Sequence, residues 1–210
     1  MVDNTYGPKV YRANQGDDLV FKVGAKFDLS ASTTHGKGII PINLYAARSI
    51  SSNDIGANGA TPAGTILTSD SAPKLIRINA ATDKGVRVQW AASSSVEIAL
   101  GTIVYPYDLD DTAAITVNLL AAMGGATDTP TIAVGYFEGI GDTNAGGNTA
   151  AVTGTTLAKY SVTIAASDVA MYSTTNTNFA SITLTPGAHT TDVLNLYAAW
   201  IEYTKKITLA

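Results

Sequence analysis

The chain has no cysteine and only two histidines among its 210 residues. Without cysteine it forms no disulfide and offers no thiolate to a metal ion. The histidines, His35 and His189, do not stand beside a recognisable acid–serine arrangement, so no nucleophile–base pair is visible. We therefore predict no catalytic residue, no cofactor and no enzymatic activity.

Charged residues are also scarce. They make up 14% of the chain, against 46% hydrophobic residues, and the net charge is −4. A nucleic-acid binder needs a basic stripe that neutralises phosphates, and the only adjacent basic pair is Lys205-Lys206. We expect no nucleic-acid partner.

Long apolar runs are missing as well. No segment reaches the 18 apolar residues of a membrane-spanning helix. The N-terminus has neither a basic start nor an apolar run, so it does not resemble a signal peptide. The sequence therefore predicts that the protein does not associate with a membrane. It also predicts that the protein accumulates in a cytoplasm after synthesis.

Short segments of alternating apolar and polar residues dominate residues 84–210. Period-2 alternation between clusters of turn-forming residues is typical of β-strands. Long connections between such strands favour a jelly roll or Greek-key sandwich over a meander. We predict an all-β domain, an antiparallel β-sandwich of jelly-roll type. Its strands are expected within 86–92, 114–123, 131–139, 159–166, 180–186 and 192–209.

The last run predicts two opposed faces. Strict alternation puts Trp200 on one face and Tyr197, Ile201 and Tyr203 on the other, which we assign to a subunit interface. Trp90 and Trp200 both follow apolar alternation and are expected in the core. The alternative to the interface is that all of these residues line one core and the protein is a monomer. A rival hypothesis for the aromatic residues as a group is an exposed platform for carbohydrate.

Residues 1–83 differ in composition and are interpreted as an extended N-terminal docking arm. Residues 49–73 are rich in Gly, Ser, Asn and Ala and cannot bury much apolar surface alone. One observation opposes this boundary: "NLYAA" occurs at 43–47 and again at 195–199. If both copies are strands, residues from about Ile39 join the sandwich.

Residues 135–154 combine glycines, two carboxylates and asparagines. A phosphate loop would require a following helix, and a calcium loop would require alternately spaced oxygen ligands. Neither pattern is present, so we interpret the segment as a long connection between the two sheets. A second acidic segment, with Asp108, Asp110 and Asp111, is a weak metal candidate, and a hydrated turn is the preferred interpretation.

Two parts of the chain carry a resemblance to a known group of proteins. Lys9-Val10-Tyr11-Arg12, with Gln15 to Val20 and Gly24 to Leu29, resembles the N-terminal segment of some tailed-phage virion proteins. Residues 123–147 and 185–206 are similar to a β-sandwich module of phage head-decoration and fibre-like proteins.

The resemblance implies a capsid decoration (cement) protein on the outer surface of the virion, made in the host cytoplasm. It would be a homotrimer that binds the major capsid protein. The docking arm would act through Lys9, Tyr11, Arg12, Phe21 and Phe27. The alternative is a carbohydrate-binding module of a phage tail or fibre, used in host attachment.

Overall fold

The computed structural model describes residues 10–13, 18–21, 36–50, 65–79, 81–82, 85–138, 143–169 and 179–206. The chain divides into two units, Met1–Gly36 and Lys37–Ala210. In the first unit, β1 (Val10–Ala13) pairs antiparallel with β2 (Asp18–Phe21).

The second unit is built from twelve strands within its described residues. They are β3 (Lys37–Ile42), β4 (Arg48–Ile50), β5 (Thr65–Ile66), β6 (Lys74–Arg77), β7 (Val86–Trp90), β8 (Glu97–Val104), β9 (Ile115–Met123), β10 (Ile132–Glu138), β11 (Gly147–Asn148), β12 (Ala158–Ile164), β13 (Phe179–Pro186) and β14 (Leu194–Thr204). Two single-turn 3-10 helices, Leu44–Ala46 and Ala166–Asp168, lie in connections.

These strands form two antiparallel sheets. Sheet I has the order β12-β9-β14-β7-β6, and β3 pairs with the second half of β14. Sheet II has the order β11-β10-β13-β8-β4-β5. The chain passes between the sheets from β3 to β4, β5 to β6, β7 to β8, β8 to β9, β9 to β10, β11 to β12, β12 to β13 and β13 to β14. The fold is an all-β, two-sheet antiparallel sandwich, as predicted.

The core lies between the sheets and is filled by alternate strand residues. Strand β13 buries every second side chain, from Ala180 to Pro186, and β12 does the same from Tyr160 to Ile164. Trp90 and Tyr136 are the largest fully buried side chains. The predicted core position of Trp90 is confirmed. Its indole Nε1 donates a hydrogen bond to the Val96 carbonyl at 2.8 Å.

The boundary predicted between residues 83 and 84 is wrong, because the sandwich begins at Lys37. Strand β3 pairs with β14 over six residue pairs, β4 pairs with β8, and β6 pairs with β7. The two "NLYAA" copies do not share a structure. The first starts a 3-10 helix, in which the Asn43 side chain accepts a hydrogen bond from the Tyr45 amide, whereas the second lies in β14.

The segment 135–154 connects the sheets, as predicted, although residues 139–142 lie outside the described part of the chain. Strand β11 first pairs with β10, and the chain then continues to β12 in sheet I. The Asn144 Oδ1 atom accepts from the amides of Tyr136 and Gly146, at 2.9 and 2.8 Å, and so fixes the turn.

Candidate functional site

A β-bulge in β14 determines which side chains reach the outer face of sheet I. Leu196 pairs with Ala121, and Ala198 pairs with Leu120, so Tyr197 is an extra residue opposite β9. An extra residue shifts the alternation that follows by one position. Ala199, Ile201 and Tyr203 therefore become the buried residues of the second half of the strand.

The predicted faces of β14 are consequently wrong. Ile201 and Tyr203 are 0% and 5% exposed and lie in the core, where another chain cannot contact them directly. Trp200, expected in the core, is half-buried on the outer face together with Tyr197. Sequence alternation alone contains no sign of the bulge, so the predicted sides of Trp200, Ile201 and Tyr203 are reversed.

Trp200 lies in a row of side chains that crosses sheet I. It pairs with Pro41 of β3 on one side and with Asn118 of β9 on the other. Asn118 pairs in turn with Ser161 of β12, whose hydroxyl donates to the Asn118 Oδ1 atom at 2.7 Å. A large aromatic ring is thus placed directly beside an ordered amide.

A second amide pair occupies the neighbouring part of the same face. The Gln89 Nε2 atom donates to Asn195 Oδ1 at 2.9 Å, between paired positions of β7 and β14. Asn195 and Asn118 are only 4% and 0% exposed, although both alternate with core residues. Buried amides held by hydrogen bonds keep one orientation, and they fix in turn the more exposed side chains of Ser161 and Gln89, which are the groups that a ligand would contact.

Arg87 lies beside Tyr197 on this face. One guanidinium nitrogen, Nη1, donates to the Ile78 carbonyl at 3.1 Å and to the Tyr197 hydroxyl at 3.4 Å. The guanidinium carbon is 5.9 Å from the centroid of the Tyr197 ring. The Arg87 Nε atom is buried and has no hydrogen-bond partner among the described residues. A desolvated donor of this kind is costly unless a partner is supplied.

Arg87 also borders a cavity at the β6–β7 edge of sheet I. The cavity has a volume of about 590 Å³. Its lining includes Ile76, Ile78 and Arg87. We name the described outer face of sheet I, with Arg87, Gln89, Asn118, Asn195, Tyr197 and Trp200, the aromatic–amide face.

Alternation along β7 puts Arg87 and Gln89 on the face opposite Val88, but no motif in the sequence assigns a function to these residues or to Asn118 and Asn195. The available signal was a strand whose polar positions carry amides and an arginine rather than Ser, Thr or Lys. The burial of those amides depends on how four strands pair, and this pairing register cannot be obtained from the sequence.

The predicted docking residues lie in the first unit or outside the described part of the chain. Tyr11 and Arg12 lie in β1 and Phe21 lies in β2, whereas Lys9 and Phe27 fall outside the described residues. His35 also falls outside them. The capsid-docking role of these residues stays a prediction.

The carboxylates of the acidic loop after β8, Asp108, Asp110 and Asp111, are bound by side chains and an amide of the protein. Asp108 accepts a hydrogen bond from the Tyr203 hydroxyl at 2.9 Å and lies 3.5 Å from the Lys205 Nζ atom. Asp111 lies 3.4 Å from Lys206 Nζ. The Thr112 hydroxyl and amide both donate to Asp110, and these hydrogen bonds lower the pKa of Asp110. Within the described residues, no group of three metal-binding side chains is found.

His189 is buried and contacts backbone rather than an acid or a serine. Its Nδ1 atom lies 2.9 Å from the Gly187 carbonyl oxygen and its Nε2 atom lies 3.0 Å from that of Ala91. Two and three residues further on, the amides of Thr191 and Asp192 donate to the carboxylate of Asp128. These contacts close a turn and assemble no catalytic relay.

Comparison with known proteins gives structural neighbours only. No protein-family model and no curated protein matches the chain. A xylan-binding module, CBM15, is similar over 82% of this chain and 100% of its own, with 12% identity and a TM-score of 0.48. The CBM22-1-GH10 modules of a Clostridium thermocellum xylanase match over 80% of this chain and 28% of theirs, with 13% identity and a TM-score of 0.41.

A phage protein is a third neighbour. The enzymatically active domain of tailspike protein 4 from bacteriophage CBA120 matches over 79% of this chain and 19% of its own, with 10% identity and a TM-score of 0.35. At such identities the likeness is one of fold, and it assigns no ligand to this chain. In the described part of the chain, no helix has the length and apolarity needed to span a membrane.

Proposed function

We propose that the aromatic–amide face binds carbohydrate, and that the protein is a non-enzymatic attachment module of a phage tail or fibre. The observation that carries the proposal is the position of Trp200. The bulge places its ring on the outer face, beside the hydrogen-bonded amide of Asn118. An apolar ring next to fixed hydrogen-bonding groups fits the apolar face and the hydroxyl rim of a sugar.

The amides supply the polar half of such a site. Asn118 and Asn195 are each held by a neighbouring side chain, Ser161 and Gln89 respectively. Because Asn118 and Asn195 are 0% and 4% exposed, a ligand would meet their partners instead, the exposed Ser161 side chain and the half-buried Gln89 amide, which the asparagines hold in one orientation. The phage context of the proposal comes from the sequence resemblance at the N-terminus and in the sandwich.

Affinity electrophoresis through gels containing a polysaccharide tests the proposal. We expect the wild-type protein to be retarded in at least one gel of a panel of cell-surface and plant polysaccharides. We expect Trp200→Ala to abolish the retardation, because the ring would form the platform. Tyr107→Ala is the matched control: it removes an aromatic ring that is 86% exposed, but in the loop after β8. Equal retardation of Trp200→Ala and wild type would overturn the proposal.

A second candidate function, capsid decoration by a homotrimer, comes from the sequence resemblance. Val104 and Ile66, in strands of sheet II, are 70% and 53% exposed. Single exposed apolar side chains are common on protein surfaces, so these residues serve only as positions at which a shell contact is tested. Cosedimentation with shells of the major capsid protein, lost in Val104→Asp, would support this candidate. Light scattering would have to give three times the mass of one 21.7 kDa chain.

A further inference from the structure

The aromatic–amide face has a charge opposite to that of the whole protein. The outward positions of its described strands carry four cationic side chains, Lys37, Lys74, Arg87 and Lys159, and one anionic side chain, Glu202. Its local charge is therefore +3, while the chain as a whole carries −4. Such a field attracts anions and raises their local concentration.

Three of the four cations have no anionic partner in the described structure. Lys37 lies 3.9 Å from Glu202, and this is the ion pair of the face. Among the described residues, Lys74, Arg87 and Lys159 have no carboxylate within 4.0 Å. In the acidic loop, by contrast, Lys205 and Lys206 each face an aspartate. The unpaired cations are thus concentrated where the proposed ligand would lie.

The register places two of these cations at the ends of one row that contains an aromatic ring. Lys159 of β12 pairs with Leu120 of β9, which pairs with Ala198 of β14. Tyr197 adjoins Ala198 in the bulge and contacts Arg87 of β7. Arg87 and Lys159 are three strand spacings apart, or about 14 Å. A chain of sugars lying across the strands would meet a cation at each end of this row.

Arg87 has the features of an anion-binding residue. The Arg87 side chain is half-buried, and its guanidinium is held in one position by the Ile78 carbonyl and the Tyr197 hydroxyl. A partly desolvated cation held in one orientation loses little entropy when it binds a carboxylate, and the charge-assisted hydrogen bonds formed are strong.

We infer that the ligand of the aromatic–amide face is an acidic polysaccharide, in which sugars bearing carboxylate groups alternate with or replace neutral ones. The inference rests on the proposed carbohydrate-binding function. Arg87 is the principal contact for the acidic group, Lys74 and Lys159 add weaker electrostatic attraction, and Trp200 stacks against the sugar ring.

The experiment compares one polysaccharide in two charge states. Alginate and carboxyl-reduced alginate differ in charge but share their backbone, and each is titrated against the protein by calorimetry at two salt concentrations. We expect binding to alginate that weakens as salt rises, and at least tenfold weaker binding to the reduced polymer. Arg87→Gln should lower the affinity for alginate about tenfold, since it removes the charged hydrogen bonds. Arg48→Gln, on the outer face of sheet II, is the matched control and should leave the affinity unchanged.

The outcomes separate this inference from the function on which it depends. Equal affinity for alginate and its reduced form, with both lost in Trp200→Ala, would overturn the inference and leave carbohydrate binding in place. Equal affinity for alginate and for polyglutamate, which has carboxylates but no sugar, would overturn both. Arg87→Lys, which keeps the charge, should retain more affinity than Arg87→Gln, and thermal unfolding of all variants verifies that they are folded.

Discussion

Asp128 and Asp192 each bind the backbone of the loop that carries the other. The Asp192 Oδ2 atom accepts from the amides of Thr127 and Asp128, at 2.7 and 3.0 Å. The Asp128 Oδ2 atom accepts from the amides of Thr191 and Asp192, at 2.6 and 2.8 Å. This reciprocal arrangement joins the loop after β9 to the loop before β14.

The first prediction is a loss of stability in acid that depends on Asp128. Hydrogen bonds from the Asp192 and Thr191 amides lower the pKa of Asp128 below its ordinary value of 3.8. A group whose pKa is lower in the folded state stabilises the protein above the unfolded pKa, and this contribution disappears as the pH falls through the folded pKa. Thermal unfolding between pH 2 and pH 6 should therefore show a steeper acid loss in wild type than in Asp128→Asn. Parallel curves for the two proteins would contradict the role given to this carboxylate.

The second prediction contrasts the two tryptophans. Trp90→Phe removes a hydrogen bond and core volume, so its free energy of unfolding should fall by about 2 kcal/mol. Trp200→Phe alters the outer face and should change it by no more than about 0.5 kcal/mol. Urea unfolding measures both. A comparable loss in the two variants would place Trp200 in the core.

The third prediction concerns alkaline pH. Burial, followed by the hydrogen bond to Asp108, raises the pKa of Tyr203 to about 12. Because the pKa is higher in the folded state, the contribution is complete below the ordinary value of 10.0 and is lost as the pH rises from there towards 12. Tyr203→Phe should be less stable than wild type at pH 8, and this difference should shrink towards pH 12.

Burial also raises the pKa of Tyr105, so wild type and variant should both lose stability in alkali. Only the difference between them reports on Tyr203.

The same samples test the acidic loop. Asp108 and Asp111 are already paired with lysines, so we expect a chelator to leave the melting temperature of wild type unchanged. A shift restored by calcium would contradict this expectation.

Strand positions were predictable because alternation reports directly on burial. The runs around β9, β10, β12 and β13 were predicted from Ile, Val, Leu and Tyr at every second position, and the structure buries those positions. Strand β14 was predicted too, but its faces were not, since one bulged residue reverses the side of every residue that follows.

The candidate site was harder to predict because its residues come from distant parts of the chain. Pro41, Trp200, Asn118 and Ser161 share a row only through the pairing of four strands. The sequence argument for adding β3 to the sandwich is the "NLYAA" repeat, and the two copies of that repeat have different structures. The polar composition of residues 49–73 also gives no strand signal for β4 and β5, which are two or three residues long and form by pairing with neighbouring strands.

The last prediction tests whether the sandwich requires residues before 84. A chain beginning at Lys84 lacks β3, β4, β5 and β6, and so leaves parts of β14, β8 and β7 without their partners. The apolar residues Ile42, Leu44 and Leu67, which are at most 8% exposed, would be missing from the core. We expect this chain to aggregate or to lack cooperative unfolding, whereas a chain beginning at Gly36 should unfold cooperatively.

A point variant gives an independent check. A Cβ atom on Gly38 would lie 2.0 Å from the Tyr203 ring, so Gly38→Ala should cost about 1–3 kcal/mol by overpacking. Gly36→Ala is the control, because a Cβ atom there meets nothing within 4 Å. Cooperative unfolding of the chain from Lys84, or equal stability of the two glycine variants, would show that β3 is not part of the sandwich.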